Sequence, residues 1–428
     1  MTHLVVAPGL RSKERNLELA LLVASVAFIW LAWKALGAAH FAMPAQSVRI
    51  EVQFVAIALV GHLGLRAVAP KSAPQPYAIA MLLTAIGLAF VTRVAPGVAQ
   101  KQVDWATLGI LCMVAAARFG RDYPRLRNFK YTAAVTALGM LILTGIFGTT
   151  IYGARLWITV AGQTVQTTEF IKLFLIVFLA GYLADEAGAL SSPRIRFAGR
   201  QYSSVPYLLP LLIAWGVTMM AIGLLRDLGN IMLLMMLAVS ALYLATGRLR
   251  FVFGGIALLC VALFLGYLAF GHVHTRIDVW LDPHADAQGA GFQSLQSVYA
   301  IQAGGITGEG LGLGQPDDIP VVTTDYIFSA ISEELGLAGA LGIILLYVAF
   351  LFAGLRIALH QEDDYGSLLA ACIGLLVAIQ AAVIIAGNLR LIPTTGITLP
   401  FVSYGGSSLV VNFALVGLLL GISQTSAD

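Results

Sequence analysis

The 428 residues are 59% hydrophobic and 11% charged, with a mean hydropathy of +0.87. A water-soluble domain carries about 25% charged residues, so a soluble globular fold is excluded and a polytopic membrane protein is expected. The net charge of +3 is too slight to recruit nucleic acid. The three cysteines, Cys112, Cys260 and Cys372, each lie inside an apolar segment, where they read as small core residues and not as a disulfide frame or metal site.

In chain order, residues 1–18 form a short N-terminal stretch whose Arg11, Lys13 and Arg15 precede the first apolar run, 19–37. Small residues at Ala38, Ala39 and Ala42 would suit signal cleavage, but the length of that run favours an uncleaved anchor. Further apolar runs follow at 52–65, 77–91, 105–117, 131–151, 170–183, 205–225, 231–246, 251–270, 335–355, 368–386 and 409–422. The expectation is an all-α bundle of twelve membrane helices in one chain-wide domain. The second, fourth and sixth runs are shorter than the roughly 17 to 25 residues a span needs, so they must borrow flanking residues, and ten spans is the fallback. Residues 19–130 hold the N-terminal helices and 131–423 the remaining bundle. Residues 272–334 form the longest stretch without a membrane-length apolar run.

Charge gives an orientation. With the N-terminus in the cytoplasm, the inside segments carry sixteen basic residues: Arg11, Lys13, Arg15, Arg66, Lys71, Arg118, Arg121, Arg125, Arg127, Lys130, Arg194, Arg196, Arg200, Arg248, Arg250 and Arg356. Seven lie outside: Arg49, Arg93, Lys101, Arg155, Arg226, Arg276 and Arg390. The positive-inside rule favours this topology. It puts three polar regions on the outer face: the loop from Arg155 to Glu169, the turn at Arg226–Asp227, and the long loop with Asp325.

Asp325 follows two threonines and directly precedes an apolar helix start, where water meets hydrocarbon. Membrane-proximal acids tend to face a bundle interior and mark function; a plain N-cap is the competing explanation. Glu169 and Lys172 stand three apart at another helix start and can pair, either as scaffolding or with Lys172 and Arg155 attracting an anionic head group. Trp157 suits the interface as an anchor. Arg226–Asp227–Leu228–Gly229 reads as a tight turn with Asp227 as N-cap, or with Arg226 facing a phosphate. His272, His274 and His284 lack the paired spacing of a strong metal signal and read as a surface loop. Residues 292–301 are mildly amphipathic and are expected to lie along the interface.

Gly304, Gly305, Gly308, Gly310, Gly312 and Gly314 permit φ > 0 and close backbone approach, with simple flexibility as the alternative. The final polar stretch, NLRLIPTTGITLPFVSYGGSSLVVN, concentrates helix breakers beside Leu399, Phe401 and Val402. Irregular backbone at membrane depth is tolerated only inside protein or lining a cavity, so a re-entrant wall is expected.

LPFVSYGGSS, residues 399–408, resembles the signature of the SEDS family (shape, elongation, division and sporulation), which contains the RodA and FtsW proteins. WLDPHADAQGAGFQSLQS, GGITGEGLGLG, TTDYIFSAISEELGLAG, GARLW and QTTEFIK resemble further family segments in the same order, over about residues 150–423. The resemblance implies a peptidoglycan glycosyltransferase acting on lipid II, with Asp325 as general base. Arg155, Glu169, Lys172, Arg226, Asp227, Arg276, Ser403, Tyr404 and Ser407 are the implied substrate-side residues. A divalent cation, Mg or Mn, is a further candidate for offsetting pyrophosphate charge. The implied partner is a class B penicillin-binding protein, a transpeptidase, besides the membrane lipids.

Three departures stand out. Thr167 replaces the proline of a Gln-Pro-Ser-Glu motif, Leu225–Arg226 replaces the Gln-Pro before Asp-Leu-Gly, and Thr323 replaces the histidine of His-Thr-Asp. Family members usually have ten spans, so an extra N-terminal pair is implied. The rival readings are a lipid II flippase, whose polar residues should run through the midplane of several helices, and a scaffold without chemistry.

Overall fold

The computed structural model describes residues 8–151, 154–160, 162–192, 194–197, 200–203 and 205–425. The first seven residues of the N-terminal stretch and Gly153 of the GARLW segment lie outside them. The helices, in order, are α1 (Pro8–Ala38), α2 (Ser47–Val68), α3 (Gln75–Val94), α4 (Ala99–Gly120), α5 (Pro124–Asn128), α6 (Lys130–Phe147), α7 (Thr167–Ser191), α8 (Leu209–Leu224), α9 (Leu228–Thr246) and α10 (Leu249–Ala269), then α11 (Gly271–Leu281), α12 (Phe292–Gly304), α13 (Ile327–Leu359), α14 (Asp364–Asn388) and α15 (Gly406–Thr425).

Among the described residues twelve helices are long and apolar enough to cross a membrane, one for each predicted span. The three short runs lengthen to Ser47–Val68, Pro96–Gly120 and Thr167–Ser191. They do so by taking in polar flanks such as Arg49, Gln100 and Glu169, which hydrophobicity alone excludes. The protein is a multi-pass membrane protein.

Two predicted loops are ordered instead. The stretch before α7 is a three-stranded antiparallel sheet of β1 (Thr149–Ile151), β2 (Ala154–Val160) and β3 (Gln163–Gln166), with Trp157 paired to Gln166 and Ile158 to Val165. Its alternation of Leu156 and Ile158 with Arg155 and Trp157 is a period-two pattern. The histidine stretch expected as a surface loop is mostly the helix α11. A hairpin of β4 (Arg194–Phe197) and β5 (Arg200–Ser203) precedes α8.

The chain packs as two compact units, each assembled from separated stretches: residues 1–121, 296–360 and 398–428 in the first, 122–295 and 361–397 in the second. In the first, α4 lies along α15 at small residues. A Cβ on Gly417 would stand 2.1 Å from the Met113 carbonyl oxygen, so only glycine permits this approach. The N-terminal pair is pinned there too: the buried Glu18 and His62 meet at 2.6 Å, and the Tyr77 hydroxyl donates to the Ala58 carbonyl at 2.8 Å. In the second unit α7, α9 and α14 form the core, and Asp185 takes both Arg127 and Lys130.

Candidate active-site segments

Asp325 belongs to the first unit. It is half-buried in a turn that ends where α13 begins, and Tyr326, not Asp325, occupies the N-cap position. Its own N–H donates to the Val321 carbonyl at 3.2 Å. Val321 has φ 57°, a left-handed conformation that a β-branched residue adopts only when the surroundings force it. The turn is held from the signature segment. Tyr404 N–H donates to the Thr323 carbonyl at 2.8 Å, and the Ser403 hydroxyl donates to the Thr324 carbonyl.

The same Ser403 oxygen accepts from Leu399 N–H at 2.9 Å, and Gln102 donates to the Ser403 carbonyl at 3.2 Å. Leu399, Phe401 and Val402 are buried, as expected of an irregular wall inside protein. The signature segment is therefore stitched to the main-chain carbonyls of the two residues before the acid, by one N–H and one side-chain hydroxyl. Ser407 is buried at the start of α15, while Tyr404 is half-buried, and burial pushes its phenol pKa up.

Beyond Asp325, α13 is interrupted. Gly336 has φ 63° and ψ −162°, which divides it into a half-helix of residues 327–335 and a longer helix after it. A broken helix exposes carbonyls and N–H groups that must find partners. The glycine segment supplies them: Glu309 and Gly310 donate to the Glu333 and Glu334 carbonyls at 2.9 and 3.0 Å, and Leu337 donates to the Gly305 carbonyl at 3.0 Å. Gly305, Gly308, Gly310 and Gly312 all have positive φ. The flexible alternative for this segment is thus replaced by a fixed one.

The side chains complete the arrangement. Gln315 N–H donates to Glu333 Oε1 at 2.6 Å and Gly312 N–H to Glu334 Oε2 at 3.1 Å. Arg93, 6% exposed, donates to Glu334 at 2.9 Å, to Asp317 at 3.0 Å and to the Gly314 carbonyl at 2.9 Å.

The second unit holds the other six candidates. Glu169 and Lys172 form an ion pair at 2.8 Å, both almost wholly buried, and Lys172 also donates to Gln380 Oε1 at 3.0 Å. Asp227 caps α9, its carboxylate accepting from Asn230 N–H at 3.1 Å and from the Asn230 amide at 2.7 Å. Burial nonetheless pushes the Asp227 carboxyl pKa up, against the pull of those bonds. Arg226 stands at φ 65°. Gly229 is required by close approach, since a Cβ there would lie 2.6 Å from the Thr395 carbonyl oxygen.

Arg155 donates to the Gly148 and Ile146 carbonyls at 2.7 and 3.2 Å, covering the C-terminal end of α6. Arg276 donates to the Thr394 carbonyl at 2.9 Å and borders an apolar cavity of about 550 Å³ that Met232, Met236, Leu263 and Ile277 help to line. The His272 imidazole pKa is pushed down by burial, with Arg226 and Arg276 adding to the effect. Among the described residues no three His, Cys, Asp or Glu side chains are grouped to hold a metal ion. Arg93 and Gln380 are the polar partners that sequence reading missed: Gln380 is a lone residue inside an apolar run, and Arg93 stands in the last turn of α3 with partners far along the chain.

The fold defines a helical multi-pass membrane protein, and the comparisons narrow the class. The model of the FtsW, RodA and SpoVE family, described as cell cycle protein, matches residues 74–428. The chain belongs to that family, the SEDS proteins. It is 33% identical to the peptidoglycan glycosyltransferase RodA of Mycobacterium tuberculosis over 434 residues, covering 98% of this chain and 92% of the relative. It is 36% identical to the stage V sporulation protein E of Bacillus subtilis, covering 77% of this chain and 87% of the relative. The crystal structure of the rod shape-determining protein RodA from Thermus thermophilus superposes with a TM-score of 0.60 at 22% identity, covering 83% of this chain and 98% of that one. A chain from a peptidoglycan synthase complex gives 0.67 at 24%, with the same coverage.

Proposed function

We propose that this protein is a RodA-like peptidoglycan glycosyltransferase that polymerises lipid II at the outer face of the bacterial cytoplasmic membrane, with both termini in the cytoplasm. The observation that carries the reading is the bonding of the signature segment to the Thr323 and Thr324 carbonyls, which fixes the backbone of Asp325 at a half-buried helix entrance. A carboxylate held in this way can act as a general base.

In the reaction, the Asp325 carboxylate accepts the proton of the acceptor GlcNAc 4-hydroxyl as its oxygen attacks the anomeric carbon of the donor MurNAc. The bond from that carbon to undecaprenyl pyrophosphate breaks, the configuration inverts, and the pyrophosphate leaves with the bonding electrons. General-base assistance is worth about 10² to 10⁴ in rate. Cationic side chains can offset the leaving group's charge. Arg226, Arg276 and Lys172 are the candidates. Arg155 already serves a helix end, Asp227 a helix start, and Glu169 the orientation of Lys172. Ser403 and Tyr404 act on the position of Asp325 through their bonds to the preceding carbonyls, with Ser407 beside them in the signature.

The reading as RodA-like draws on the mycobacterial RodA relatives, whose similarity runs over the N-terminal helices as well. A class B penicillin-binding protein is the proposed partner. The test is polymerisation of lipid II by the purified protein with that partner: glycan strands from the wild type and none from Asp325→Asn support the assignment. A wild type that moves lipid II across vesicles without polymerising it would favour a flippase.

A further inference from the structure

The first two helices precede the stretch matched by the family model, and the structure gives them a contact with the acid-bearing segment. The turn that follows α1 sets the Phe41 ring against the Arg93 guanidinium, 5.3 Å from its centroid. The end of α1 also closes on the glycine segment: at Gly312, φ 87°, a Cβ would stand 3.0 Å from Ala39 Cβ and 3.1 Å from Leu36 Cδ2. Arg93 is thus sandwiched, with Phe41 on its face and Glu334, Asp317 and the Gly314 carbonyl around its edge.

Those three anchors belong to two elements that a broken helix needs held together. Glu334 sits at the end of the half-helix 327–335, Gly314 ends the glycine segment that satisfies its carbonyls, and Asp317 follows in the short 3-10 helix Pro316–Asp318. Asp325 enters the same half-helix from its other end. One end is fixed by Ser403 and Tyr404, the other by Arg93. A guanidinium suits this task because its planar fork bonds in several directions at once while an aromatic ring covers its face. The buried Glu18–His62 pair and the bond from Tyr77 to Ala58 tie α1 and α2 to each other and to α3, so the turn that carries Phe41 is set by the helix pair and not by a free loop.

We propose that the N-terminal helix pair is a brace for the half-helix behind Asp325, with Arg93 and Phe41 as positioning residues of the glycosyl transfer; this rests on the glycosyltransferase reading above. Neither residue touches the substrate. Their loss loosens the half-helix, lets the carboxylate sample unproductive positions, and lowers turnover more than substrate affinity.

The experiment uses the full chain with its partner in a lipid nanodisc and has two arms. In the first, lipid II polymerisation is measured for Phe41→Leu, Phe41→Tyr and Arg93→Lys. Phe41→Leu keeps the apolar volume and loses the ring face, so kcat falls about three- to tenfold with KM nearly unchanged, and Phe41→Tyr restores it. Arg93→Lys, which keeps the charge and loses the fork, lowers kcat about ten- to a hundredfold. In the second arm, amide hydrogen exchange of residues 327–335 is faster in Phe41→Leu than in the wild type.

Wild-type kcat in both Phe41→Leu and Arg93→Lys overturns the proposal. So does a loss of activity matched by loss of folded protein with unchanged exchange at 327–335. If the wild type itself makes no polymer, the glycosyltransferase reading fails, and the exchange arm still decides the brace.

Discussion

The turn that carries Asp325 is half-buried and the start of α7 that carries Lys172 is buried, and they are held by opposite means. Around Asp325 the bonds run to main-chain atoms: the carbonyls of Thr323 and Thr324, and further on those of Glu333 and Glu334. Around Lys172 they run between side chains, with one ammonium shared by Glu169 and Gln380. A main-chain lattice keeps its shape when a side chain changes. The Thr323 side chain can therefore change without loss of the bond that its carbonyl accepts from Tyr404 N–H. A buried ion pair has no such tolerance, because removing one partner leaves an uncompensated charge. The first region should therefore break where a Cβ or hydroxyl alters the backbone, and the second where a charge is lost.

The largest effect on stability is expected in the second region. Lys172→Met strands Glu169 and should cost about 3–5 kcal/mol, while Lys172→Met with Glu169→Met recovers most of it. Thermal unfolding in detergent checks this, and equal losses in the single and double variants would show that the pair does not act as a unit. Next comes Gly336→Ala, which puts a Cβ 2.3 Å from the Gly308 nitrogen at a positive φ. About 2 kcal/mol or more is expected, read by the same unfolding, with faster proteolysis in residues 304–336.

Ser403→Ala removes the donor to Thr324 and the acceptor of Leu399 N–H, costs about 1–3 kcal/mol, and lowers polymerisation about tenfold. Ser403→Thr keeps the hydroxyl and should recover activity. The smallest effect belongs to Asp227. Its carboxyl binds a proton more readily folded than unfolded, so stability declines as pH rises above the ordinary value of 3.8. Asp227→Asn keeps the cap and removes the ionisation, so its stability should decline less steeply over that range. An unchanged slope would place the pH dependence elsewhere.

Much of this was legible in the chain itself, because apolar length is a strong signal: all twelve spans and the irregular wall with Leu399, Phe401 and Val402 were anticipated from hydrophobicity and helix breakers. Asp227 as a helix cap was equally readable from its neighbours. The sheet of residues 149–166 was missed because its strands are short and adjoin a membrane helix, where a loop is the default. The role of the glycine segment was hidden for a different reason. Positive φ can be read from glycine, but which carbonyls those glycines serve depends on residues about twenty-five positions later. Arg93 shows the limit most clearly, since a single cation at a helix end reads as one more outer-face charge until its partners 221 to 241 residues away are known.

The most direct test is lipid II polymerisation by Asp325→Asn beside the wild type, with circular dichroism and unfolding to verify equal folding. The change removes a proton acceptor and keeps the shape, so glycan strands should fall by at least about a hundredfold while lipid II binding persists. Wild-type polymer from folded Asp325→Asn would contradict the assignment of this carboxylate as the base.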